Sequence, residues 1–209
     1  MLRGQKAFWS LFLQKNLPFY GIILFILCLG ITVGSLAAFN MKAEQTVAIQ
    51  ELLESFLKQI NTLTFSSVEL IQLSVFNDIL LIAIIYLLGL TVIGMPIMLT
   101  LIFSRGFILG FTVSFLLKEK AFHGIILASA AILPQNLLYL PALVASGATA
   151  LSFTMVLFKR NFGANIRIWP AFLCYNGLML TIMALAMGSS LIEAYITPFL
   201  TRFAVRLIT

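Results

Sequence analysis

The chain has 209 residues, 61% of them apolar and only 10% charged, with a mean hydropathy of +1.08. Soluble domains carry charge on about a quarter of their residues, so this composition excludes a water-facing surface and implies an integral membrane protein. The net charge of +6 is spread over the edges of apolar runs, which marks topology and headgroup contact, membrane lipid being the partner, and excludes a nucleic-acid-binding stripe.

Residues 1–16 carry Arg3, Lys6 and Lys15 without an acid, and Phe8, Trp9, Leu11, Phe12 and Leu13 offer an apolar face. This leader reads as a cytoplasmic interfacial helix. The first span is about 17–39. Ser35-Leu36-Ala37 would serve as a cleavage site, but the leader is long and the apolar stretch exceeds a signal h-region. An uncleaved anchor is the better reading.

Residues 40–77 form the one sizeable polar segment. Ile49, Leu52, Leu53, Phe56, Leu57 and Ile60 recur at helical spacing, opposite Glu44, Gln45, Glu51, Glu54, Lys58 and Asn61. That pattern predicts an amphipathic helix outside the membrane. Ser66 and Glu69 are spaced as a capping box for a second, short helix.

A second span is expected over 78–103, kinked near Gly94-Met95-Pro96. Residues 106–117 alone would make only about 18 Å of helix. A third span therefore recruits Ser104, Arg105 and Lys118, with both basic chains snorkelling, unless 104–133 is re-entrant. Arg105 is the one candidate intramembrane charge, against a position at the inner interface.

The apolar run 121–158 would measure roughly 57 Å as one helix, too long for one span. It is interrupted by ILPQNLLYLP at 132–141. Pro134 removes a backbone donor, and Gln135 and Asn136, with Pro141 closing the stretch, either satisfy freed carbonyls or line a polar cavity. A broken helix of this kind suits a hinge or docking break. It also suits a transporter midplane. A last span covers about 168–192. The tail 193–209 reads as interfacial, with Thr197-Pro198 as a helix start.

The fold expected is an all-α polytopic membrane helix bundle in a single domain, 1–209. It has about five spans with one broken helix, plus amphipathic helices in the outer loop and at the termini. The basic residues around the first span and Lys159-Arg160 place the N-terminus in the cytoplasm. Gly30 with Gly34, and Gly106 with Gly110, form small-residue ladders; they serve internal packing or a homo-oligomer contact. Cys28 and Cys174 read as small buried hydrophobes.

No HExxH, GxSxG, Walker loop or paired intramembrane carboxylates occur in the sequence. No enzyme, metal site or cofactor is expected.

The basic leader, the amphipathic loop, GLTVIGMPIMLTLIFSRGFILGFTVSFLL at 89–117 and LPQNLLYLP at 133–141 together resemble the stage II sporulation protein M family. Members of the wider family often carry a His-Gly pair and an acid near that break. Gln135-Asn136 and Tyr139 here point to its sporulation branch. The resemblance implies a scaffold in the mother-cell membrane at the sporulation septum. It would recruit two peptidoglycan-degrading partners, the stage II sporulation proteins D and P, for septal thinning and engulfment. A docking face at Leu53, Phe56, Leu57 and Ile60 is the expectation for such partners, and a transporter or channel component is the alternative.

Overall fold

The computed structural model describes residues 2–41, 49, 67–161 and 168–208, with side chains for 17–41, 49, 76–118, 136–161 and 168–189. Four helices hold all of these but residues 40, 41, 49 and 90–93: α1 (Leu2–Phe39), α2 (Ser67–Gly89), α3 (Gly94–Asn161) and α4 (Ile168–Ile208). No strand occurs among the described residues. The fold is a polytopic helical bundle. Four stretches are long and apolar enough to cross a membrane: Leu17–Phe39, Gly94–Lys118, Asn136–Asn161 and Ile168–Ser189; Phe76–Gly89 is a shorter apolar helix.

Helices α1, α2 and α4 each bury one narrow stripe. On α1 the buried positions are Ile23, Leu27, Gly30, Gly34 and Ala38; on α2 they are Asp78, Ile82, Ile85 and Gly89; on α4 they are Tyr175, Met179, Ile182, Ala186 and Ser189. Steps of three and four residues keep these on one face. The opposite faces carry Leu24, Phe25, Leu36, Leu180 and Leu185, exposed and apolar, as lipid-facing positions should be.

The 68-residue α3 would be about 102 Å long if straight, yet it doubles back. The guanidinium of Arg105 lies 5.5 Å from the centre of the Tyr139 ring. Gly147 packs against Ile102 and Ile23. Two antiparallel limbs, 94–118 and 136–161, result. The second is the centre of the bundle, with 61% of its apolar window buried. Its run of small residues, Ala142, Ser146, Gly147, Ala148 and Ala150, lets neighbours approach closely. Among the described residues α1 packs on α3 alone, whereas α2 and α4 touch both α3 and each other.

Several boundaries differ from those expected. The span expected over 78–103 stops at Gly89, and a new helix starts at Gly94, so Gly94-Met95-Pro96 is a helix start and not a kink. Thr91 explains the stop. Its hydroxyl donates to the Leu88 carbonyl and accepts from the Gly94 amide, both at 3.1 Å, which terminates one helix and caps the next. Pro96 then falls in a first turn, where a missing amide costs little.

The third span consequently runs from Gly94 to Lys118, with Arg105 well inside it. The short helix expected after Ser66 and the second span are one helix, α2. The expected break at 132–141 is also displaced. Those residues are helical throughout, Pro141 included, and the chain reverses before Asn136. The tail does not begin a separate helix at Thr197-Pro198, because α4 continues through it. Likewise α1 carries the leader and first span in one helix through Pro18. Cys28 is exposed and Cys174 half-buried, and both are free, so neither is the buried hydrophobe expected.

Candidate functional site

Two features dominate the interior: a glycine-mediated helix crossing and a polar centre around Arg105. In the crossing, α1 runs parallel to the first limb of α3. A Cβ on Gly30 would collide with the Phe103 carbonyl, and one on Gly34 with that of Phe107. From the other side, Cβ atoms on Gly106 and Gly110 would meet the Leu27 and Ile31 carbonyls. Backbone meets backbone here, and that contact holds helices together where the hydrophobic effect is absent. The Ser35 hydroxyl donates to the Gly110 carbonyl at 3.3 Å. At the end of the same pair, the Lys118 ammonium reaches the Phe39 carbonyl at 3.2 Å and that of Ala38 at 3.5 Å. A cation there satisfies acceptors that a helix terminus leaves unpaired.

The polar centre starts from Arg105. Its Nη2 lies 3.7 Å from Oδ1 of Asp78, whose side chain is 3% exposed against 28% for Arg105. The Tyr139 ring lies beneath the guanidinium. Arg105 is eleven residues from Gly94 and thirteen from Lys118, about 16 and 20 Å along the helix, so this charge lies near the middle of a stretch long and apolar enough to cross a membrane. A lone cation at that depth is costly; the carboxylate and the aromatic face offset the cost.

A cavity of about 180 Å³ opens beside this centre, lined by Arg105, Ile108, Leu109, Thr112, Asn136, Tyr139 and Leu140. The Tyr139 residue is only 3% exposed, and its hydroxyl makes no hydrogen bond among the described residues. Sequence reasoning misses Asp78, because the expected span boundary falls on it. The signal available is an acid inside the helical apolar pattern FNDILLIAIIY. Tyr139 stands out in the sequence only as a family mark.

A second polar cluster ties α2 and α4 to the second limb of α3. Tyr175 donates to the Tyr86 carbonyl at 2.7 Å, and Tyr86 donates to Oδ1 of Asn176 at 2.7 Å. Their rings stack at 5.4 Å. The Thr154 hydroxyl sits 2.9 Å from the carbonyls of both Gly89 and Ala150 and shares its hydrogen between them. Gly89 ends α2, so Thr154 supplies one of the donors that its terminus lacks.

Of the residues expected to matter, the structure brings Gly30, Gly34, Gly106 and Gly110 together, and sets Arg105 beside Asn136. Pro141 is exposed on the second limb. Leu53, Phe56, Leu57 and Ile60 lie outside the described residues, as do the side chains of Pro134 and Gln135. Among the described residues no cluster of three or more His, Cys, Asp or Glu could hold a metal.

The sequence profile of the stage II sporulation protein M family matches residues 22–198. No curated protein and no solved structure matches the chain.

Proposed function

We propose, for a chain that belongs to the stage II sporulation protein M family and is thereby a sporulation-related membrane protein, the role of a non-enzymatic scaffold. It recruits the peptidoglycan-degrading stage II sporulation proteins D and P to the mother-cell membrane at the septum, for septal thinning and engulfment. Its N-terminus is cytoplasmic, so the Lys118 end faces outward, toward the wall.

One observation carries this reading. The glycine crossing and the Lys118 contact fix the end of α1 at Phe39, and α2 begins at Ser67. The polar segment with Leu53, Phe56, Leu57 and Ile60 joins these two helices in the chain. A segment tethered at both ends to a packed bundle presents a docking face at low entropic cost. Enzymes that cut wall need that face outside the membrane.

The test is co-purification of both partners from sporulating cells with the full chain carrying Phe56→Asp, Leu57→Asp and Ile60→Asp. Membrane extraction and proteolytic mapping establish that the variant inserts normally. Loss of both partners supports the docking face, and undiminished capture by a correctly inserted variant overturns it.

A second reading, a permease component, draws on the cavity that reaches Asn136 beside Arg105. It requires solute flux in proteoliposomes of the purified chain that is abolished by filling the cavity with Leu140→Trp.

A further inference from the structure

We infer that the cavity between the two limbs of α3 is a binding site for an acidic amphiphile drawn from the bilayer. The head is a phosphate or carboxylate held by Arg105 and Tyr139, and the alkyl chain lies along Ile108, Leu109 and Leu140. Neither the scaffold nor the permease reading is needed for it.

Four observations converge. The first is the supply of donors. Arg105 has only donors to offer, and its contact with Asp78 at 3.7 Å is well beyond the roughly 2.7–2.9 Å of a charge-assisted hydrogen bond. The guanidinium therefore keeps N–H groups for a second acceptor, and 28% of its side chain stays open. The second is Tyr139. This residue lines the cavity and is only 3% exposed, and its buried hydroxyl has no partner among the described residues. A buried hydroxyl without a partner is costly, and an acceptor in the cavity removes that cost.

The third is charge. Asp78 does not line the cavity, so the wall presents the cation and leaves its counter-ion behind, in α2. The hydroxyl of Thr112 donates to the Ile108 carbonyl at 2.8 Å and so adds no free donor. The site is a two-donor clamp that suits an oxyacid; Arg and Tyr reach its oxygens from different limbs. The fourth is the mouth. Ile108 is 57% exposed and Thr112 is exposed, so the cavity opens on the flank of the bundle, among lipid chains. Its apolar lining continues that environment. A soluble ion has no such route, whereas an amphiphile enters sideways with its tail already in hydrocarbon.

The experiment uses the full chain in phosphatidylcholine nanodiscs and measures binding of dodecyl phosphate by native mass spectrometry. Dodecanol and inorganic phosphate serve as separate arms. Tyr139→Phe keeps the ring under the guanidinium and removes only a hydroxyl without a partner among the described residues, so the fold is retained, and its thermal midpoint is measured to establish this. Dodecyl phosphate is expected to bind the wild type and to bind Tyr139→Phe roughly tenfold more weakly, as loss of one hydrogen bond to a charged group implies. Arg105→Lys, which keeps the charge without the fork, should weaken it also. Dodecanol should bind far less, and inorganic phosphate not detectably. The proposal is overturned if dodecyl phosphate does not bind, or if Tyr139→Phe binds it as tightly as the wild type. Equal binding of dodecanol would overturn the acidic head, and equal binding of inorganic phosphate would overturn the membrane source.

Discussion

Arg105 on α3 and Asp78 on α2 form an ion pair of 3.7 Å inside the bundle, with the carboxylate almost wholly buried. These two positions flank the tight turn at Leu90–Ile93 symmetrically, eleven residues before Gly89 and eleven after Gly94. The pair thereby fixes the register of the two helices that the turn joins.

Breaking this pair from one side should cost more than removing it. Asp78→Asn leaves a cation without its counter-ion, and Arg105→Gln leaves a buried carboxylate. Each is expected to lower unfolding stability by about 3 kcal/mol, and the double variant to return within about 1 kcal/mol of wild type. Thermal unfolding in detergent, analysed as a double-mutant cycle, measures the coupling. Additive losses would show that the two side chains act independently.

The glycine crossing predicts a contrast between glycines. Gly34→Ala and Gly106→Ala drive a methyl group into a neighbouring backbone, which cannot swing aside as a side chain can, so each should destabilise by about 1–3 kcal/mol. At Gly177 and Gly188 a methyl group would enter open space; Gly177→Ala and Gly188→Ala should be neutral or slightly stabilising, since alanine is the better helix former. Melting temperatures of the four variants decide it.

How much of this was legible depends on what each feature requires. The spans from Leu17 and Ile168 could be read because apolar length alone defines them. Gly30, Gly34, Gly106 and Gly110 could be read as ladders, since helical spacing fixes which residues share a face. Their mutual contact could not, because nothing local says which ladder meets which. The turn at Leu90–Ile93 escaped because Leu90, Val92 and Ile93 are apolar and the stop rests on a single threonine, Thr91, flanked by Gly89 and Gly94. That one boundary then misplaced both Asp78 and Arg105 at the edges of spans. The reversal in α3 was legible as a necessity of length, but its position was not, because proline in a membrane helix is tolerated where neighbours repair the backbone.

Thr154 and Tyr175 both secure the end of α2, so their loss should be felt there. Thr154→Val removes the hydroxyl from the Gly89 carbonyl, and Tyr175→Phe removes the bond to the Tyr86 carbonyl. Each should cost about 1 kcal/mol, and Thr154→Ser should restore most of its share. Hydrogen exchange across residues 86–93 should rise in the two disruptive variants and stay at the wild-type rate elsewhere in α2.

The proposed orientation makes a labelling prediction. In a Cys28→Ala, Cys174→Ala background, Ile93→Cys lies in the exposed turn on the cytoplasmic side. A membrane-impermeant maleimide should label it only after permeabilisation. Labelling of intact cells would invert the topology and move the docking segment to the cytoplasm.

Lys118 carries the last prediction. Its ammonium is the group that meets the terminal carbonyls of α1 at Ala38 and Phe39, while the last backbone bond there joins the Asn40 amide to the Leu36 carbonyl at 3.0 Å. Lys118→Met keeps the apolar stem and removes the charge, so the interaction of a cation with a helix C-terminus is lost at a cost of about 0.3–1 kcal/mol. That is too little to unfold the bundle but enough to fray one turn. Amide exchange at residues 38–40 should therefore quicken severalfold, with the global melting temperature almost unchanged. Lys118→Arg should hold the wild-type rate, because a guanidinium reaches the same carbonyls. On the scaffold reading, Lys118→Met should also weaken partner capture without affecting membrane insertion, since it loosens the anchor from which the docking segment departs. Unchanged exchange at 38–40 would mean that the glycine crossing alone holds this end.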